Sequence, residues 1–332
     1  MALTLLGQEA QSLRSNLESL PPIQDTPIDN EIFPSPVEGE SMRGGNFLVQ
    51  TEGLLDEIES NGLNCNFETL YSDWATDFTE NNLSSREHQM LNFIVLTYLL
   101  SQESAHTEVK QLSLEGAVGS GKTRALEGIM AELDNLQVVE ERFDLNSWFP
   151  ESLHEQSFDH LPPEEQPPKV SMFGSQVCFA TLTEYYRQQK LRDAASGDIV
   201  LIERDRPGDW AFILHYHTKQ NRLLDDNEFR VLGKLYKLFD KNQPKNTFSI
   251  FLHAPAHELH RRVKERARKG EGVYTPKWLE MNQTYTEDEL INRKNTNGFN
   301  FEPVDTNGLL IEEMRTRVVD IVRKFIASPV LN

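Results

Sequence analysis

The chain is poor in cysteine, in long apolar runs and, over its first third, in positive charge. Cys65 and Cys178 are its two cysteines in 332 residues. They provide neither a disulfide framework nor zinc-ligand spacing, so a reducing compartment is the simplest reading. The first ten residues carry no Lys or Arg and no sustained apolar stretch. That pattern predicts neither a secretory signal nor an Arg-rich transit peptide. The longest apolar stretch, Phe93–Leu100, is far short of the roughly 20 residues that span a bilayer. The expected location is the cytoplasm, with the nucleus open. Residues 1–104 hold no Lys and three Arg against 17 Asp or Glu, a net of −14 out of the chain's −19. Such acidity repels phosphates, which argues against nucleic acid or an anionic membrane as partner of this segment. A basic protein surface is the partner class it leaves, and a homodimer stays open.

The pattern divides the chain in two: an acidic, partly disordered extension over 1–104, and an α/β domain over 105–332. Residues 21–50 are rich in Pro, Ser and Gly and read as a linker. Gln8–Leu20 and Gly53–Ile58 have short helical patterns. Ser84–Ser101 reads as a helix that packs on the following domain, with Met90, Phe93, Ile94, Tyr98 and Leu99 on one face. Beyond it, strands and helices alternate. Strands are expected at Gln111–Glu115, Gln137–Glu140, Asp198–Glu203, Thr247–His253 and Phe299–Val304. Helices are expected at Lys122–Leu133, Phe173–Arg192, Asp226–Asp240, Ala256–Lys269 and Leu310–Ile326. Five strands separated by helices specify a parallel sheet covered on both faces. Ligands then bind beyond the carboxyl ends of the strands. Pro150–Lys169, with two proline pairs, reads as a loop.

The strongest signal lies where the first of these strands meets its helix. Gly116-Ala117-Val118-Gly119-Ser120-Gly121-Lys122-Thr123 is a complete phosphate-binding loop in a strand–loop–helix setting. Its glycines let backbone N–H groups wrap a phosphate, and the helix N-terminus adds its positive dipole end. Lys122 can reach the β- and γ-phosphates of ATP, and the Thr123 hydroxyl can hold Mg²⁺.

Three further features fall around it. The apolar strand ending in Glu203-Arg204-Asp205 places a carboxylate where it can hold Mg²⁺ and a guanidinium near the transferring phosphate. Glu141 follows Lys122 by nineteen residues, at the end of the second strand, where a carboxylate can take the proton of an attacking hydroxyl. Glu140 is its rival; strand alternation lets one of the two face the cleft. On the helix after Glu258, Arg262, Arg266 and Lys269 form one stripe before two glycines, which suits a lid that neutralises phosphate charge.

Together these pieces resemble the deoxynucleoside kinase family over roughly Glu108–Ile326. Ser113–Thr123 is similar to its phosphate loop, and Glu141 followed by Trp148 to its E-P-V-x-x-W segment. Phe173-Gly-Ser-Gln176 resembles a helix start of the family, and Glu203-Arg204-Asp205 its E-R-S motif. Arg262-x-x-x-Arg266-x-Arg268-x-x-Glu271 resembles its lid. Val304-Asp305-Thr306-Asn307 falls at its adenine loop. The resemblance implies a P-loop kinase fold and ATP-dependent phosphorylation of a deoxyribonucleoside at its 5′-hydroxyl, in nucleotide salvage.

It also implies roles. Lys122 and Thr123 serve the phosphates and Mg²⁺, and Glu141 is the base. Gln176 pairs with the nucleobase and Trp148 lines its pocket. Glu203 and Arg204 serve the metal and the 5′-end. Arg262, Arg266 and Arg268 stabilise the γ-phosphate. Glu271 accepts from the sugar 3′-hydroxyl, and Asp209 selects the base.

The chain departs from the family pattern at several points. Arg142 replaces the proline after the base, and Trp148 stands two residues further on than the pattern expects. No tyrosine occurs in 150–172. Thr183 stands where an arginine usually partners the aspartate, which leaves Arg187 as a substitute. A thymidylate-type monophosphate kinase and a kinase-like interaction subunit are the alternative readings.

Overall fold

The computed structural model describes residues 45–61, 85–103, 109–141, 171–195, 197–218, 223–241, 244, 247–268, 271–297 and 299–328. The sequence readings at Gln8–Leu20, Trp148, Pro150–Lys169 and Lys269 lie outside these residues. Two compact units are present, Met1–Leu91 and Asn92–Asn332. In the first, helix α1 (Gly45–Asn61) buries Phe47, Thr51, Leu54, Leu55 and Ile58. These recur at helical spacing and form one stripe. The helix starts at Gly45, so the end of the predicted linker, 45–50, is helical. Helix α2 (Ser85–Glu103) runs across the boundary. Within the second unit its Phe93 ring lies 4.8 Å from that of Tyr185.

The second unit is a five-stranded sheet with order β2-β3-β1-β4-β5. Its strands are β1 (Lys110–Glu115), β2 (Leu136–Val139), β3 (Ile199–Glu203), β4 (Thr247–His253) and β5 (Asn300–Asp305). Every pairing is parallel. The central strand is nearly all buried, as a sheet covered on both faces requires. Helices α3 (Lys122–Glu132) and α9 (Ile311–Ala327) lie over one face. Ala125, Leu126 and Ile129 there join Met314, Val318 and Val322 against Leu112, Leu201 and Ile250. The remaining helices are α4 (Ser171–Asp193), α5 (Arg206–His217), α6 (Asp226–Asp240), α7 (Ala256–Arg266) and α8 (Pro276–Asn297). Helix α6 begins as its sequence dictates: Asp225 accepts from the N–H groups of Asn227 and Glu228, and Glu228 accepts from that of Asp225.

From β1 the chain steps outward to β2, returns to β3, and crosses to β4 on the other side of β1. The loops after β1 and β3 therefore flank a crevice at the carboxyl ends of the strands. Two helices went unread in the sequence. Pro207-Gly208 looks like a turn but sits in the first turn of α5, where proline's missing N–H costs nothing. Helix α8 has almost no apolar asymmetry around its axis, so periodicity does not mark it. Helix α7 stops at Arg266, three residues before the expected end, because Ala267 takes a left-handed conformation (φ 50°). The stripe therefore ends at Arg266. No described helix is long and apolar enough to cross a membrane.

Candidate active site

The phosphate loop leaves β1 through three glycines with positive φ: Gly116 at 137°, Gly119 at 87° and Gly121 at 105°. A side chain is excluded at Gly119 by space as well, since a Cβ there would lie 2.9 Å from the Leu259 carbonyl oxygen. Lys122 is buried at the start of α3 and donates to the carbonyls of Gly116 (2.7 Å) and Ala117 (3.2 Å). Burial, followed by the nearby Arg204 cation, lowers its pKa to about 8, while Glu141, Glu203 and Glu115 push the other way. Thr123 donates its hydroxyl to Glu203 at 2.6 Å, which joins the end of the loop to the end of β3.

Arg204 follows β3 in a left-handed conformation (φ 67°). Its Nη1 lies 2.6 Å from Glu141 Oε1, and its guanidinium sits over the Phe212 ring, 4.5 Å from the centroid. Burial raises the pKa of Glu141 above the usual carboxylate range; Arg204 and Lys122 oppose that rise. Its neighbour Glu140 is exposed. The strand ends at Val139, so Glu141 reaches the crevice from the segment just beyond it.

A cavity of about 1040 Å³ opens over these groups. Val118, Gly119, Gly121, Lys122, Thr123, Glu141, Glu203 and Arg204 line its floor, and Gln176 and Asp209 line it from α4 and α5. Arg262, Arg266, Arg268 and Glu271 line it from α7 and the segment that follows. Gly116, Ala117 and Ser120 are not among the residues that line it; within the loop the Ser120 N–H donates to the Ala117 carbonyl (3.2 Å). Asp305 is placed differently: it accepts from the N–H of Asn307 (2.9 Å), and Thr306 faces the cavity instead.

The cations over the cavity differ in their ties. Arg262 donates to Glu258 (2.8 Å), to the Thr306 hydroxyl (3.0 Å) and carbonyl (2.7 Å), and to the Gly119 carbonyl (3.4 Å). It thus bridges the phosphate loop and the segment after β5. Arg266 instead pairs with Glu271, Nε to Oε2 at 2.7 Å.

Asp209 is buried, and burial raises its pKa well above the ordinary value against the pull of Arg204. Arg187 does not partner it. That cation is fully buried with Glu184 and lies 3.6 Å from Asp205. One turn of helix cannot carry Arg187 to Asp209 while two carboxylates hold it where it is.

Sequence reading missed Phe179, Phe212, Tyr216 and Tyr274, all of which line the cavity, and the buried Glu115. Asp209, Phe212 and Tyr216 are spaced i, i+3, i+7, a signal that was available once Arg206–His217 was recognised as a helix. Tyr274 falls between α7 and α8, where periodicity says nothing. Burial pushes its hydroxyl up to about 12, with Arg204 opposing.

Residues 112–327 match the family model for deoxynucleoside kinase. A search of curated protein sequences finds no significant match. Among solved structures, the chain is similar to deoxyadenosine kinase from M. mycoides. The form with bound dATP gives a TM-score of 0.51 at 18% identity, over 64% of this chain and 99% of that one. The form with bound dCTP gives 0.50 at 17%, with the same coverage. At such identities these likenesses concern the fold, and they agree with the parallel sheet and its covering helices. The family match extends from the central strand into the last helix and takes in the loop, Glu203-Arg204 and the Arg262–Glu271 segment; the chain belongs to the deoxynucleoside kinase family, phosphotransferases that act on nucleosides.

Proposed function

We propose that the chain transfers the γ-phosphoryl group of ATP to the 5′-hydroxyl of a deoxyribonucleoside, with Glu141 as the base. The observation that carries this is the Glu141–Arg204 pair beside Lys122 and Thr123. A carboxylate there meets a neutral hydroxyl acceptor, as in a nucleoside, more readily than the phosphate of a nucleoside monophosphate. The 5′-oxygen forms a bond to the γ-phosphorus, its proton passes to Glu141, and the bond to the β-phosphate oxygen breaks to release ADP. Arg204 holds Glu141 in place and faces the same reacting region.

Mg²⁺ fits the residues present. Thr123 Oγ1 and Glu203 Oε1 are adjacent hard oxygens at the cavity floor. Among the described residues no group of three acidic, His or Cys side chains forms a metal cage. Magnesium is commonly held that way, by one or two protein oxygens together with substrate phosphates. When bound it neutralises charge on the β- and γ-phosphates. Arg266 and Arg268 supply cations on the other side of the transferring group. Arg262, tied to Gly119 and Thr306, shapes the nucleotide seat.

On the nucleoside side, Gln176 offers one donor and one acceptor to a base edge. Asp209 lies deeper. In its ionised form, which Arg204 supports and burial opposes, it accepts from an amino group and repels a carbonyl, and that form favours deoxyadenosine, deoxycytidine or deoxyguanosine over thymidine. Relative kcat/KM for these four nucleosides tests that choice, and a preference for thymidine would remove Asp209 from base selection. Lys122→Ala tests the ATP side: turnover is lost, folding is retained and ATP binding weakens. Wild-type protein that fails to bind ATP with magnesium at millimolar concentration would sink the reading.

A further inference from the structure

The buried carboxylate of Glu115 has no part in the chemistry just described, yet it lies at the centre of the site's framework. It ends β1, and its side chain is fully enclosed. One oxygen accepts from the N–H of Asp205 (3.0 Å) and the other from the N–H of Gly208 (3.1 Å). Those two N–H groups belong to the N-cap and the third residue of α5, donors that the helix itself cannot satisfy. The N-cap side chain would ordinarily serve the Gly208 N–H, but Asp205 makes no side-chain cap bond. Its carboxylate is turned to Gln111, which donates at 3.2 Å, and toward Arg187. The capping group of α5 therefore comes from a strand 90 residues earlier in the chain.

We infer that Glu115 is a positioning residue for phosphoryl transfer: by capping α5 it fixes Arg204 and Asp209 in the site. This inference rests on the kinase reading given above. Arg204 immediately precedes the N-cap and has positive φ, a conformation that persists where the surroundings impose it. Its N–H donates to the Leu114 carbonyl (3.1 Å), and the next N–H, that of Asp205, goes to Glu115. Two consecutive amides are thus bound to the last two residues of β1. Gly208 completes the arrangement. A Cβ on it would stand 2.6 Å from Glu115 Oε2 and 2.9 Å from Arg204 Cγ. Glycine is what allows both side chains to approach the helix. From the helix so fixed, Asp209, Phe212 and Tyr216 face the cavity.

The test uses the full chain with Glu115→Gln and Gly208→Ala, singly and together. Glu115→Gln sets an amide NH₂ against one of the two N–H donors, and Gly208→Ala pushes the intact carboxylate away. Each is expected to lower kcat at least about tenfold per folded molecule while ATP Kd by calorimetry stays within about twofold. The double variant is expected to be no slower than the slower single, because both break one contact. Glu115→Asp is expected to recover part of the rate. Wild-type kcat in both folded singles, or additive losses in the double, would overturn the inference. So would a failure of both singles to fold, which would make the contact merely structural. If Glu115→Gln alone fails to fold, the kcat of Gly208→Ala decides. Wild-type protein without turnover would sink the kinase reading itself and this inference with it.

Discussion

Arg204 and Glu141 meet at 2.6 Å with both side chains almost wholly enclosed. Pairs so enclosed are costly to break from one side, because the surviving charge is left without a partner. The two residues come from the ends of different strands, and Lys122 lies close enough for each to influence its ionisation. Glu141→Gln keeps shape and hydrogen bonding but cannot take a proton. Its kcat is expected to fall roughly 10²–10⁴-fold with little change in nucleoside affinity. The exposed Glu140→Gln is expected to stay near wild type. Steady-state kinetics on the two variants check this, and loss of kcat in Glu140→Gln alone would reverse the assignment.

Arg262 and Arg266 are expected to separate in kinetics although they lie one turn apart. Arg266 donates to Glu271, whereas Arg262 bridges Gly119 and Thr306. Arg266→Ala is expected to lower kcat roughly 10²–10³-fold, the size of effect seen when a donor to transition-state charge is removed. Arg262→Ala is expected to raise KM for ATP and to lower the melting temperature. An unchanged kcat in Arg266→Ala would leave that side chain a solvated helix residue.

Ala267 ends α7 in a left-handed conformation, which costs an L-residue roughly 1–2 kcal/mol. Ala267→Gly removes that strain at some cost in chain entropy, so a net gain of up to about 1 kcal/mol is expected. Thermal melts check it. A lower melting temperature for Ala267→Gly would show that the helix end is not strained.

Burial, then the neighbouring Asp205, pushes the pKa of Glu115 up to about 7. Ser113 and Lys122 face it and pull the other way; Arg204 and Asp209 are the next charged groups. A carboxyl raised in the folded state binds a proton that the unfolded chain has already released. Its contribution is therefore favourable below the unfolded value near 4.5 and is lost as pH rises through 7. Glu115→Gln cannot ionise. Relative to wild type, the variant is expected to gain stability between pH 5 and pH 8, by roughly 3 kcal/mol at most. Denaturant melts at the two pH values measure it. A constant difference would place the ionisation of Glu115 outside this window.

The floor of the cavity was legible because phosphate binding demands glycines, lysine and threonine at fixed spacing, and strand ends place the residues that follow them. The span of α6, Asp226–Asp240, was equally plain. Glu115 was not legible as a functional residue. It reads as one more position of an alternating strand, and its partners lie some 90 residues away. Tyr274 escaped for the same reason: tertiary placement, not local pattern, brings it to the cavity. The reading of Arg187 as a partner for Asp209 failed because Glu184, on the same helix, and Asp205 already hold that guanidinium.

The most direct test of the account is phosphoryl transfer itself. Purified wild-type protein is incubated with magnesium and ATP labelled in its γ-phosphate. The acceptors, each offered separately, are deoxyadenosine, deoxycytidine, deoxyguanosine, thymidine and dTMP. The account predicts label on the 5′-oxygen of at least one amino-bearing deoxynucleoside, none on dTMP, and loss of that product in Glu141→Gln. Label on dTMP alone, or no labelled acceptor from protein that binds ATP, would contradict it.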